Sequence, residues 1–216
     1  MKEPPTQLTD ASDPTSRRPS PRERERFLLW VDGVGGFLVC LAPRVLLGHG
    51  ATESDVDIPI LADVARQHAW LERDSHGYVV EAARPVQVND QKVTGKALLR
   101  HGDLITLGKT CQFSFAQAVP VSASARLDLV SGHRLWRALH GVLLMAETLV
   151  LGPGPAVHVH VADLPEPLVL FRQKTGLAVH YPREFSLNGS VEKNRCPFEP
   201  GSRVTVEEMS FALERL

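Results

Sequence analysis

The feature that most constrains this 216-residue chain is an internal repeat. Gly77 recurs as Gly176 (176 − 77 = 99), and Val88-Asn89-Asp90 recurs as Leu187-Asn188-Gly189. Gly102 with Ile105-Thr106-Leu107 recurs as Gly201 with Val204-Thr205-Val206, all at the same spacing. Upstream, Val45-Leu46-Leu47-Gly48 matches Leu149-Val150-Leu151-Gly152 at 149 − 45 = 104, so the second copy is shorter by about five residues in one loop. Loops tolerate such losses. Solenoid units run to roughly 20–50 residues, so a unit of this length is a duplicated domain. The repeat divides the chain into a tail (1–25), a first domain (26–117), a short linker (118–125) and a second domain (126–216).

Within each copy the pattern is one of short apolar runs, such as Phe27 to Val31, Phe37 to Ala42, Tyr78 to Val80 and Leu104 to Leu107, broken by Gly, Asp and Asn. Runs of this length between turn residues are strands rather than helices, and many of them in series predict an all-β sandwich. A hydrophobic fraction of 43% with 23% charged residues supplies a core and excludes global disorder. The tail is rich in Pro, Ser, Thr and charge and cannot offset its own ordering entropy. It contains Arg17-Arg18-Pro19-Ser20-Pro21, a candidate kinase target.

A net charge of −1 gives no overall field for nucleic acid or an anionic membrane, so a partner must be found by a local site. Cys40, Cys111 and Cys196 are odd in number and widely spaced, which reads as buried reduced thiols and a cytoplasmic setting. No apolar run is long enough to span a bilayer, and no signal-peptide block opens the chain.

The first copy resembles the forkhead-associated (FHA) family in five blocks that follow the family's order. They are Leu47-Gly48-His49-Gly50, Asp57-Ile58-Pro59-Ile60, Val64-Ala65-Arg66-Gln67-His68-Ala69, Pro85-Val86-Gln87-Val88-Asn89-Asp90, and Leu99 to Gly108 with its Gly102-Asp103 pair. The resemblance implies two tandem FHA-like (SMAD/FHA-type) antiparallel β-sandwiches, the second degenerate. It also implies an eleven-stranded unit whose loops at one end hold a phosphothreonine peptide. Such a site needs donors converging on a dianion. The family uses an arginine, a serine and an asparagine, and those positions fall here at His49, Ala65 and Arg84.

Ala65 cannot donate, and losing one charge-assisted bond costs about 1.5–3 kcal/mol, roughly 10- to 150-fold in affinity. His49 can still donate, and Arg66 and Arg84 can restore positive charge. The resemblance makes His68 an internal brace for the loops, and Gly48, Asn89, Gly102 and Asp103 structural loop residues. In the second copy Pro153 holds the arginine position and Leu164-Pro165-Glu166-Pro167 the serine block, so the binding chemistry is gone while the apolar strands remain.

The expected function is a non-enzymatic adaptor, without cofactor, that binds a phosphothreonine-containing protein segment in Ser/Thr kinase signalling. The alternative is a phosphate-independent scaffold of two degenerate sandwiches. A further possibility is a phosphorylated tail folded back onto the first domain. His158-Val159-His160 puts two imidazoles on one face of a strand, a spacing that can hold a metal but reads first as an exposed polar face. The chain shows no Gly-x-Ser-x-Gly, P-loop or dinucleotide fingerprint, and the prolines of Gly152-Pro153-Gly154-Pro155 lack the amides that cradle phosphate.

Overall fold

The structure, a computed structural model, describes residues 26–50, 56–119, 121–174 and 176–216. The tail, with Ser20, lies outside the described residues. The first half contains β1 (Arg26–Val31), β2 (Gly35–Cys40), β3 (Arg44–His49), β4 (Ile58–Leu61), β5 (Ala69–Asp74), β6 (Gly77–Ala82), β7 (Val86–Val88), β8 (Gln91–Lys92), β9 (Lys96–Leu99), β10 (Leu104–Leu107) and β11 (Cys111–Ala116). The second half contains β12 (Ala125–Leu129), β13 (Arg134–Leu135), β14 (Gly141–Leu144), β15 (Thr148–Gly152), β16 (Val159–His160), β17 (Leu168–Arg172), β18 (Leu177–Leu187), β19 (Ser190–Phe198), β20 (Arg203–Val206) and β21 (Met209–Arg215). The fold is all-β and sandwich-like. Among the described residues no helix is long and apolar enough to cross a membrane.

Turn chemistry places several strands directly. Asn89 and Asp90 both have positive φ (50° and 64°), the requirement of a two-residue type I′ turn, and they join β7 to β8. Asn188 and Gly189 (53° and 88°) do the same between β18 and β19. Strands with one buried face alternate, as in β11, where Cys111, Phe113 and Phe115 are buried and Gln112, Ser114 and Ala116 are not.

The two halves exchange their first hairpins. β1 adds to β21, the last strand of the second half, and β12 adds to β11, the last strand of the first. β2 then pairs with β14, which joins both sheets into one 15-stranded sheet. Strands β13, β4, β3, β5, β6 and β9 form a separate six-stranded sheet over the first half. Pairing is antiparallel except at β3–β4, β15–β16 and β2–β14, so the sheets are mixed rather than wholly antiparallel.

Two cores result. Leu28, Leu38 and Cys40 pack with Val142 and Leu144 into the first. Phe27, Leu29, Val31, Phe37 and Val39 pack with Leu143 and Met145 into the second. Residues 117 and 126 therefore separate two runs of sequence but not two cores, because β1, β2 and β14 lie between the cores and bury both faces. All three cysteines are free and buried, and burial pushes the Cys40 thiol up to about 12 and that of Cys111 up to about 11.

Candidate functional site

The loops at one end of the first half are built around Gly48. A methyl group there would sit 1.9 Å from the carbonyl oxygen of Arg66, so only glycine lets the 62–67 loop close against β3. Two backbone bonds hold the loop on either side: the His49 amide donates to Ala65 O (2.9 Å) and the His68 amide to Leu47 O (3.0 Å).

His68 locks a second loop to the first. Its ring is buried, with Nδ1 accepting the Ala65 amide at 3.1 Å and Nε2 bonding Pro85 O at 3.0 Å. Nδ1 is thus the unprotonated nitrogen, and Nε2 carries the hydrogen that Pro85 accepts. The His68 carbonyl in turn takes the amides of Ala83 (3.1 Å) and Arg84 (3.0 Å).

One cluster therefore contains all four candidate ligand-binding residues. His49, at the end of β3, is exposed, with Nδ1 on Ala62 O at 3.1 Å. Ala65 contributes no side-chain donor, and its amide is committed to His68. Arg66 and Arg84 are exposed, and neither makes an ion pair among the described residues. The chemistry on offer is cationic and anion-directed.

Asn89, Gly102 and Asp103 stand apart from this cluster and tie the turns together. Asn89 Nδ2 donates to Asp103 Oδ1 (2.8 Å), the Leu104 amide to Asn89 Oδ1 (2.9 Å) and the Arg100 amide to Asp103 Oδ2 (2.7 Å). Gly102 has φ of 91°, and its amide reaches Phe115 O.

The positions that the 99-residue spacing matches in the second half are built differently. β18 runs unbroken from Leu177 to Leu187, so the loop that carries Arg84 in the first half is reduced to a register shift between Tyr181 and Phe185. Arg183, which the 99-residue spacing matches to Arg84, pairs through two nitrogens with Glu166 Oε1 (2.7 and 2.8 Å). An incoming anion would have to compete with that carboxylate.

His158 behaves differently from the exposed polar residue expected of it. It is buried, and its Nδ1 accepts the Val150 amide at 2.9 Å, as Asp57 Oδ2 accepts the Leu46 amide at 2.8 Å in the first half. It is a structural substitute for that aspartate, while His160 alone is exposed. Burial pushes His158 below the ordinary histidine range, partly offset by backbone hydrogen bonding around Ser124 and Val150. No group of three or more His, Cys, Asp or Glu able to hold a metal ion occurs among the described residues. A cleft of about 480 Å³ does lie beside His158 and His160, against Arg126 and Asp128. Arg126 is already paired with Asp128 (2.7 Å), and its guanidinium lies over the Phe37 ring.

The second half also contributes a strand next to this end of the first, which no local pattern in the sequence announces. β13 pairs with β4, setting Arg134 opposite Leu61 and Leu135 opposite Ile60. The signal available in sequence was the length of the segment between β12 and β14.

Residues 45–108 match the family model of the FHA domain. That span runs from β3 to just past β10 and leaves out β1, β2 and β11, three of the strands that take part in the exchange. No curated protein matches the sequence. Among solved structures, the chain is similar to the FHA-2 domain of the Mycobacterium tuberculosis ABC transporter Rv1747, determined by NMR. The identity is 23% and the TM-score 0.32, over 54% of this chain and 90% of that one.

Proposed function

Starting from the FHA domain at residues 45–108, a kind of module that is in general a non-enzymatic binder of protein segments, we propose that this chain is a phosphothreonine-binding adaptor. The first half takes the phosphorylated segment of a partner in Ser/Thr kinase signalling in the cytoplasm. His49, Arg66 and Arg84 supply the positive charge, and the second half is a degenerate sandwich with a structural role. The observation that carries this reading is the contrast between Arg84 and Arg183: positions matched by the 99-residue spacing, one without an ion pair among the described residues, the other neutralised by Glu166.

Charge-assisted bonds from two guanidiniums replace the serine donor that Ala65 lacks, at some cost in affinity. Matched peptides with phosphothreonine and with threonine, titrated by calorimetry, test the reading. A preference for phosphate that disappears in the His49→Ala/Arg66→Ala/Arg84→Ala variant is expected. Equal affinity for the two peptides overturns it.

One observation favours a second reading, a phosphate-independent scaffold. The Ala65 amide, the remaining donor at that position, is spent on His68. In that case the triple variant captures the same partner as the native chain.

A further inference from the structure

The connection between β12 and β14 spans residues 130–140, whereas the matching connection between β1 and β2 spans only 32–34. A hairpin needs two to five residues. The longer segment is used to cross onto the first half, where β13 covers the edge strand β4 and buries Leu135 in the first core.

Burial of Leu135 accounts for the crossing but not for the residues around it. Segment 130–140 contains Arg134, Arg137, His133 and His140 and no carboxylate. Arg134 and Arg137 are exposed and make no ion pair among the described residues. Arg137 stacks on Trp136 with 4.4 Å from its guanidinium carbon to the ring centroid. Arg137 and Ala138 also both have positive φ (60° and 50°), a conformation that non-glycine residues rarely adopt and that needs support from its surroundings.

The segment is fixed in place. His133 bonds Ser131 Oγ (2.8 Å) and Thr110 Oγ1 (3.4 Å), and Ser131 Oγ takes the Gln112 amide (3.1 Å). β4 pairs on its other side with β3, so Leu135, Ile60 and His49 follow one another across the sheet. Leu61, opposite Arg134, is 47% exposed and immediately precedes Ala62, whose carbonyl holds the His49 ring. The one carboxylate in the adjoining 62–67 loop is Asp63.

We infer that the exchanged segment of the second half extends the peptide site of the first, with Arg134 receiving a carboxylate that flanks the phosphorylated residue of an acidic partner segment. The inference rests on the phosphopeptide reading above and names the kind of segment that the site takes. Arg134 is a recognition residue at the edge of the site; the phosphate itself belongs to His49, Arg66 and Arg84.

The test compares four peptides, with or without phosphothreonine and with acidic or neutral flanks, on the full chain, Arg134→Ala, Arg134→Glu and the control Lys193→Ala in the β18–β19 hairpin. The native chain should prefer the acidic phosphopeptide over the neutral one. Arg134→Ala should reduce that preference by about two- to fivefold, the range of an exposed ion pair, and Arg134→Glu should reverse it, with Lys193→Ala unchanged. Affinity for the neutral phosphopeptide should stay the same in Arg134→Ala. If the native chain prefers phosphate but ignores the flanks, or the Arg134 variants discriminate as the native chain does, this inference is overturned and the phosphopeptide reading stands. If phosphate makes no difference on any peptide, both fall.

Discussion

Replacing Gly48 by alanine tests the geometry on which the candidate site depends. The added methyl would lie 1.9 Å from Arg66 O and 2.6 Å from its carbonyl carbon, both backbone atoms, while contacts under 3.0 Å are essentially never made by a real Cβ. The 62–67 loop must therefore retreat by at least 3.0 − 1.9 = 1.1 Å. The two bonds flanking the contact, His49 N to Ala65 O at 2.9 Å and His68 N to Leu47 O at 3.0 Å, cannot survive a displacement of that size. Each is worth about 1 kcal/mol net. Alanine returns about 0.4–1 kcal/mol by restricting the unfolded chain. A net destabilisation of about 1–2.5 kcal/mol follows once residual crowding is included. Urea unfolding followed by fluorescence measures it, with Gly132→Ala as control, since a methyl group there meets nothing within 4 Å. The same variant should lose the phosphate preference proposed for this site, because Arg66 moves with the loop. Stability within about 0.5 kcal/mol of native, or a gain, would refute the reasoning.

The shared strands β1, β2 and β14 should make the chain unfold in one cooperative transition, with fluorescence and circular dichroism coinciding; two separated transitions would show that the cores are independent. Leu29→Ala, in the first half by sequence but buried in the second core, should cost about 2–5 kcal/mol and speed amide exchange in β18 and β21, and exchange limited to β3–β6 would contradict the exchanged hairpin. Because His158 is held below the ordinary histidine range, near pH 6.5 in free peptides, the unfolded chain takes up its proton first as pH falls; its contribution is present above that pH and is lost as pH drops through the folded value. His158→Asn, which keeps an acceptor for the Val150 amide, should flatten the acid limb of a stability-against-pH curve, and an unchanged limb would exclude His158 as its source. None of the three buried cysteines should react with a thiol reagent at pH 8 before denaturant is added, and rapid labelling of one would disprove its burial.

Much of the site was readable as positions and little as geometry. The glycine, the histidine brace and the Asn89-Asp90 turn each have a short-range cause: a close backbone approach, an internal acceptor, a pair of positive φ angles. The neutralising of Arg183 was not readable, since its pairing with Glu166 joins residues 17 apart that only the fold brings together. The burial of His158 is not legible in the sequence, because alternation along a strand says which face a residue shares, not whether that face is covered.

By itself the sequence determined the strands and the turns, because these depend on local periodicity and on backbone conformations that few residues tolerate. Which half each hairpin joins was decided only by the tertiary structure. Backbone bonds between strands carry no sequence label, so β1 can close on β11 or on β21 with the same hydrogen bonds. The trace in the sequence is the unbroken apolar run of Phe27 to Val31 and of Phe37 to Ala42, where a strand with one wet face would alternate. Such runs reveal that two faces are buried. Only the packed structure shows that the two faces belong to two different cores, and that the second half thereby comes to lie beside the site of the first.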